Sequence, residues 1–87
     1  MEFGFDIKKG ASNKLKHGVD FIEGQDLWED PERLELPAKT VGEPRYMLIA
    51  KMRGKHWSVI FAIREEKTRI ISVHRARIKE AEAYENG

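Results

Sequence analysis

Between Arg69 and Arg77 the chain runs from Ile70-Ile71 into Ser72, His74, Arg75 and Arg77. An apolar strand pattern thus meets an imidazole and fixed cations where a charged helical pattern, Ile78 to Glu85, begins. Such a junction suits an anion, because a helix N-terminus and a guanidinium both favour phosphate. Cations there oppose the helix dipole, at about 0.3–1 kcal/mol each when exposed. The same residues serve equally well as a solvated basic edge that blunts sheet-to-sheet association. His17, His56 and His74 lie on three separate segments, without paired spacing or a nearby carboxylate cluster, which argues against a metal site. There is no cysteine to add a thiolate. Ser58 and Ser72 lack a nucleophile-elbow motif. The residue types best fit phosphodiester chemistry without a metal or cofactor: a base takes the ribose 2′-OH proton, an acid protonates the leaving 5′-oxygen, and Arg stabilises the phosphorane.

The elements that must hold these groups can be read from period and caps. Phe3 to Phe5 is compatible with a short edge strand. Asp6 is placed to cap a helix over Ile7 to His17, Gly18 to end it, and Lys14, Lys16 and His17 to complement its C-terminal dipole. Asp20 and Glu23 have capping-box spacing for a second helix from Phe21 to about Trp28, which Asp30-Pro31 stops. The period then falls to two. Leu34 and Leu36 mark a short strand, Pro37 to Pro44 a loop, and Arg45–Met52 and His56–Arg64 two strands joined through Arg53-Gly54-Lys55. Glu65-Glu66-Lys67 turns the chain into Thr68–His74, and a last helix from Arg77 to about Glu85 aligns Ile78, Ala81 and Tyr84. The expected fold is a single α+β domain over residues 1–87. It has two N-terminal helices, an antiparallel sheet of three to four strands, and a C-terminal helix, with the helices on one sheet face.

Alternation sorts the side chains. Trp57, Val59, Phe61 and Ile63 should pack on the helices, leaving His56, Ser58, Arg64, Ser72 and His74 on a common open face. His17 serves as a helix cap or as a catalytic group, and Arg45 as a catalytic group or as a partner of Glu43 or of the acidic helices. Lys51, Arg53 and Lys55 flank a hairpin tip and contact RNA backbone or only solvent. Arg75 is expected to matter more than His74, which points to the opposite face of a regular strand.

Composition limits the alternatives. At 36% charged and 40% hydrophobic, the 87 residues suit a small globular protein rather than a disordered one. From Met1 to Glu43 there are six Lys/Arg against ten Asp/Glu; from Pro44 to Gly87 there are ten against five. A basic second half fits an RNA, DNA or acidic-protein partner. No signal-peptide pattern or bilayer-length apolar run appears, so a cytoplasmic location is expected.

Several blocks carry a family resemblance: Phe3-Gly4-Phe5-Asp6 with Lys8; Leu15-Lys16-His17-Gly18-Val19 with Phe21; Trp28-Glu29-Asp30-Pro31; Glu43-Pro44-Arg45-Tyr46-Met47-Leu48-Ile49; and Arg69 to Ala76. In order and spacing the chain resembles the BrnT toxins of bacterial type II toxin–antitoxin systems. The family pattern in the last block is Ile-Ser-Ala-Arg-Arg-Ala; here Val73 and His74 replace the Ala and first Arg. The resemblance implies a RelE-like ribonuclease fold that cleaves RNA and blocks translation. It also implies neutralisation by a BrnA-type antitoxin, with the complex repressing its own operon DNA. It adds weight to Lys16, His17, Arg45 and Arg75. The catalytic candidates are therefore His17, Arg45, Arg64, His74 and Arg75; those for RNA contact are Lys16, Lys51, Arg53, Lys55, His56 and Arg77. The competing expectation is a non-catalytic module that only holds nucleic acid or antitoxin.

Overall fold

Local chemistry starts the first helix where the sequence places it. In a computed structural model, which describes residues 1–39 and 42–87, the Asp6 carboxylate accepts from the N–H groups of Lys8 and Lys9 at 2.8 and 3.2 Å. This opens α1, Ile7–His17. Gly18 closes it at φ 83°, a left-handed conformation open to glycine, with its N–H on the Lys14 carbonyl.

The next segment corrects an expectation. Asp20 and Glu23 do form a reciprocal cap: Glu23 N–H donates to Asp20 at 2.7 Å, and Asp20 N–H to Glu23 at 3.1 Å. The chain they open, however, winds as a 3-10 helix, Glu23–Glu29, and not as an α-helix over Phe21–Trp28. In the tighter winding, residues three apart eclipse, so Gly24 and Leu27 are buried together. Gly24 lies so near Val73 that a β-carbon there would come within 3.0 Å of its Cγ2.

Five strands follow the order β1-β5-β4-β3-β2 in one sheet: β1 Phe3–Gly4, β2 Leu34–Pro37, β3 Tyr46–Met52, β4 Lys55–Arg64 and β5 Lys67–Arg75. From β2 to β5 the pairing is antiparallel; β1 joins β5 in parallel, Phe3 opposite Thr68. The expected antiparallel sheet of three to four strands with two N-terminal α-helices is therefore replaced by a five-stranded mixed sheet with three helices. A two-residue strand has no periodicity to reveal its direction. Pro37 still pairs with Tyr46. The middle of the expected loop Pro37–Pro44, residues 40–41, lies outside the described residues.

The β3–β4 hairpin turns through Arg53 and Gly54 at φ 56° and 75°, as a tight two-residue turn requires. The β4–β5 register shifts between Ile60 and Phe61, which pair with Ser72 and Ile70. Ile71 is thus left over as a bulge, and its neighbours Ile70 and Ser72 fall on opposite faces.

One face carries the core. Leu48, Ala50, Trp57, Val59, Phe61, Ile70 and Val73 pack with Val19, Phe21, Leu27 and Trp28 from the helical segments. Fully burying each large side chain contributes about 1.5–3 kcal/mol. The C-terminal helix α2, Ile78–Asn86, breaks the one-face expectation. It lies on the opposite face, where Glu80, Tyr84 and Glu85 meet Ser58 and His56. Ile78, expected to lead its apolar stripe, is 80% exposed. Among the described residues no helix is long and apolar enough to cross a membrane.

Candidate active site

Helix α1 runs alongside β5, and Asn13 fixes the two together. Strand β1 covers only Thr68 and Arg69 on that edge, so the Val73 peptide groups farther along need another partner. Buried Asn13 supplies it: its amide donates to the carbonyls of Val73 at 2.8 Å and Val19 at 2.7 Å, while its oxygen accepts from Val73 N–H at 3.2 Å. A side chain here replaces a strand. With Gly10 and Asn13 turned inward at i and i+3, and exposed His17 following one turn after Asn13, helical geometry sends Lys9, Ser12 and Lys16 to one flank.

That flank borders the polar sheet face as one wall of a groove. One end is a cup lined by Asp6, Lys9, Arg45, Arg64, Arg69 and Ile71. The other end is lined by Lys9, Ser12, Lys16, His17, Ile71 and Ser72. Arg64 is bound to Glu43, its Nε donating at 2.8 Å, and that guanidinium holds the Glu43 carboxyl below the usual carboxylate range. Among the described residues Lys9, Lys16, Arg45 and Arg69 form no ion pair, and the buried Nε of Arg45 has no hydrogen-bond partner. A desolvated donor between guanidiniums is a favourable seat for a phosphate oxygen.

His74 sits at the far end of the groove, its ring centroid 6.4 Å from that of His17. It faces Ser58 across the strands, as alternation predicts. Its Nε2 is buried and lies 3.5 Å from Glu80 Oε1, too long for a formed hydrogen bond. Burial pushes the His74 pKa below the ordinary histidine value, and the charges of Arg77 and His17 add to this. The Glu80 carboxylate opposes them and is outweighed. His74 is therefore a neutral imidazole near pH 7. The carboxylate beside Nε2 favours the tautomer protonated there, which leaves Nδ1 as the basic nitrogen.

Glu80 is itself tightly held. It accepts from the Ser58 hydroxyl at 2.8 Å and from Arg77 N–H at 2.9 Å. Burial works against its charge, but these hydrogen bonds with the charges of His74 and Arg77 keep its pKa below the usual range. The rest of α2 docks by similar means. Glu85 meets His56 at 2.6 Å and Lys51 at 3.6 Å, and Tyr84 O–H donates to Asp30 at 2.6 Å.

The sequence candidates thus divide. His17, Arg45, Arg64, His74 and Lys16 are brought to one groove. His56 and Lys51 share its sheet face but lie under α2. Arg53 is drawn to Glu23 at 3.0 Å, Lys55 is exposed at the hairpin, and Arg77 caps α2 near Glu80. Arg75 lies on the opposite face, its guanidinium 5.6 Å from the Trp57 ring. Three groove residues escaped the sequence reading. Arg69 could have been found by alternation with Ile70, Lys9 by its spacing from Lys16, but Glu80 reads only as a helix-start carboxylate.

No curated protein matches the chain. The family model for the ribonuclease toxin BrnT of type II toxin–antitoxin systems matches residues 5–80, which take in both ends of the groove and every strand but β1. A cation-lined cleft with two imidazoles is what such an RNA-degrading family needs, and the chain belongs to the BrnT ribonuclease toxins, whose partners are RNA and an antitoxin.

Proposed function

We propose that residues 1–87 act as one endoribonuclease unit that cuts RNA without a metal ion. The observation that most supports this reading is the neutral, half-buried His74 beside His17 at the end of a groove walled by Lys9, Lys16, Arg45, Arg64 and Arg69. His74 Nδ1 takes the proton of a ribose 2′-OH, and the freed oxygen attacks the adjacent phosphorus. His17, as general acid, gives a proton to the departing 5′-oxygen as the P–O bond breaks, leaving a 2′,3′-cyclic phosphate and a 5′-OH. The cationic wall holds the flanking phosphates, and Arg45 stabilises charge on the phosphorane. Metal independence is supported by the sign of that wall, which repels a divalent cation.

Destroying mRNA in the cytoplasm inhibits translation. A BrnA-type antitoxin neutralises the toxin, and the pair reaches operator DNA only as a complex. The test is purified toxin with an end-labelled RNA of defined sequence, with and without EDTA. Cleavage persists in EDTA and yields cyclic phosphate ends. Restoration by a divalent ion after loss in EDTA would refute the chemistry. RNA binding without cleavage would instead make the chain a non-catalytic binding module.

A further inference from the structure

Helix α1 has a second flank that the groove does not use. Ile7, Ala11 and Leu15 recur at i, i+4 and i+8 along it, with Ile7 79% and Leu15 89% exposed. Ile22, 65% exposed, continues the row beyond the helix. Phe5 and Phe21 supply the floor of an apolar trough of about 650 Å³. Ile63 and Ile78 are exposed singly elsewhere, whereas here three exposed aliphatic side chains adjoin one trough, and a contiguous apolar patch on a small protein marks a docking surface.

The charges beside the trough narrow the occupant. The helix carries Lys8, Lys9, Lys14 and Lys16 and no carboxylate. Lys14 and Asp20 line the trough; Lys14 also meets Glu23 at 2.7 Å, the Asp20 carboxylate is taken up by the N–H groups of Ile22 and Glu23, and among the described residues Lys8 forms no ion pair. A second copy would set one lysine rim against another in a two-fold contact, which like charges oppose. RNA would match the rim but leave the aliphatic floor unfilled. A partner with an apolar stripe flanked by carboxylates satisfies both.

We propose that this trough is the docking site for the antitoxin, which engages it with an acidic amphipathic helix laid along α1. The proposal rests on the antitoxin partnership of the family and not on the cleavage chemistry. It separates the two sides of one helix. Ile7 and Leu15 anchor the inhibitor, while Lys9 and Lys16 on the other flank face the groove. The bound antitoxin then stands over the helix that forms the groove wall.

The experiment is calorimetric titration of the purified toxin with the purified antitoxin encoded beside it. The toxin is tested as wild type, as Ile7→Gln/Leu15→Gln, as Ile7→Val/Leu15→Met and as Lys8→Glu. The glutamine pair loses at least about a hundredfold in affinity and the Val/Met pair keeps it, as burial of apolar surface requires. Lys8→Glu loses about fivefold or more at low salt, and the loss shrinks as salt rises. Melting temperatures stay close to wild type. Retained affinity in a folded glutamine variant would overturn the proposal. So would a wild-type dimer, by sedimentation, that the same substitutions split into monomers, or a loss of RNA binding in place of antitoxin binding. Absence of RNA cleavage by the wild type would sink the catalytic reading while leaving these affinities to be judged separately.

Discussion

Replacing His74 by Gln and Arg75 by Ala separates two adjacent residues that the strand sends to opposite faces. His74 looks toward His17 and Glu80, Arg75 toward Trp57. A positioned general base contributes about 10²–10⁴ in rate. His74→Gln, which keeps shape but not basicity, should therefore lower cleavage at least about a hundredfold, or about 2.7 kcal/mol of transition-state stabilisation. Arg75→Ala removes an exposed cation–π contact of about 0.5–1 kcal/mol. For a chain of this size that is a melting-temperature drop of about 2–8 °C, with cleavage kept within about threefold. This reverses the order expected when Arg75 is read as the phosphate ligand at a helix start. The assay is single-turnover cleavage of a short labelled RNA across pH, with thermal melts of each variant. The acidic limb of the wild-type profile should lie below the ordinary histidine value of 6.5, because His74 is depressed, and it should vanish in His74→Gln. A hundredfold loss in folded Arg75→Ala, with His74→Gln near wild type, would refute the assignment of the groove.

Two further perturbations test the scaffold. Asn13→Ala leaves three buried peptide groups of Val19 and Val73 unpartnered; at about 1 kcal/mol each the loss is about 3 kcal/mol, a melting-temperature fall of about 12–24 °C. Urea unfolding measures it, and a change under about 1 kcal/mol would mean the edge of β5 is satisfied otherwise. Glu23 has its pKa lowered from 4.5 to about 2, first by the hydrogen bond from Lys14, then by Asp20 N–H and Arg53. Its folded value lies below its unfolded one, so its contribution is complete above about pH 4.5 and disappears as the pH falls toward about 2. Glu23→Gln should flatten acid unfolding in that window, and an unchanged curve would place the sensitivity elsewhere.

What could be read from sequence was local or strictly periodic. Asp6 and Gly18 bound α1 as expected because a cap needs only its own turn. The alternation of Trp57, Val59 and Phe61 located the core face because successive side chains of a strand point to opposite faces, although Ile63, expected with them, is 53% exposed. The β1–β5 pairing was not legible: Phe3 finds Thr68 across nearly the entire chain, and two residues carry no pattern. Helix α2 was misplaced because Ile78, Ala81 and Tyr84 look like a buried stripe, whereas its docking is polar, through Glu80, Glu85 and Tyr84. The site followed the same division. His17, Arg45, Arg64 and His74 stood out by type and motif, while Lys9, Arg69 and Glu80 acquire meaning only when α1 and α2 are laid beside the sheet.

The meeting of α1 with β5 also sets a timetable. The helix forms from local contacts, but the strand that completes its groove comes near the other end of the chain, and Asn13 finds Val73 only after β5 exists. Closing such distant contacts is slow relative to local ones. A ribosome making this toxin therefore holds a chain with Lys9, Lys16 and His17 already exposed and nothing opposite them. The nuclease comes into being only after the chain has grown the 60 residues from Asn13 to Val73.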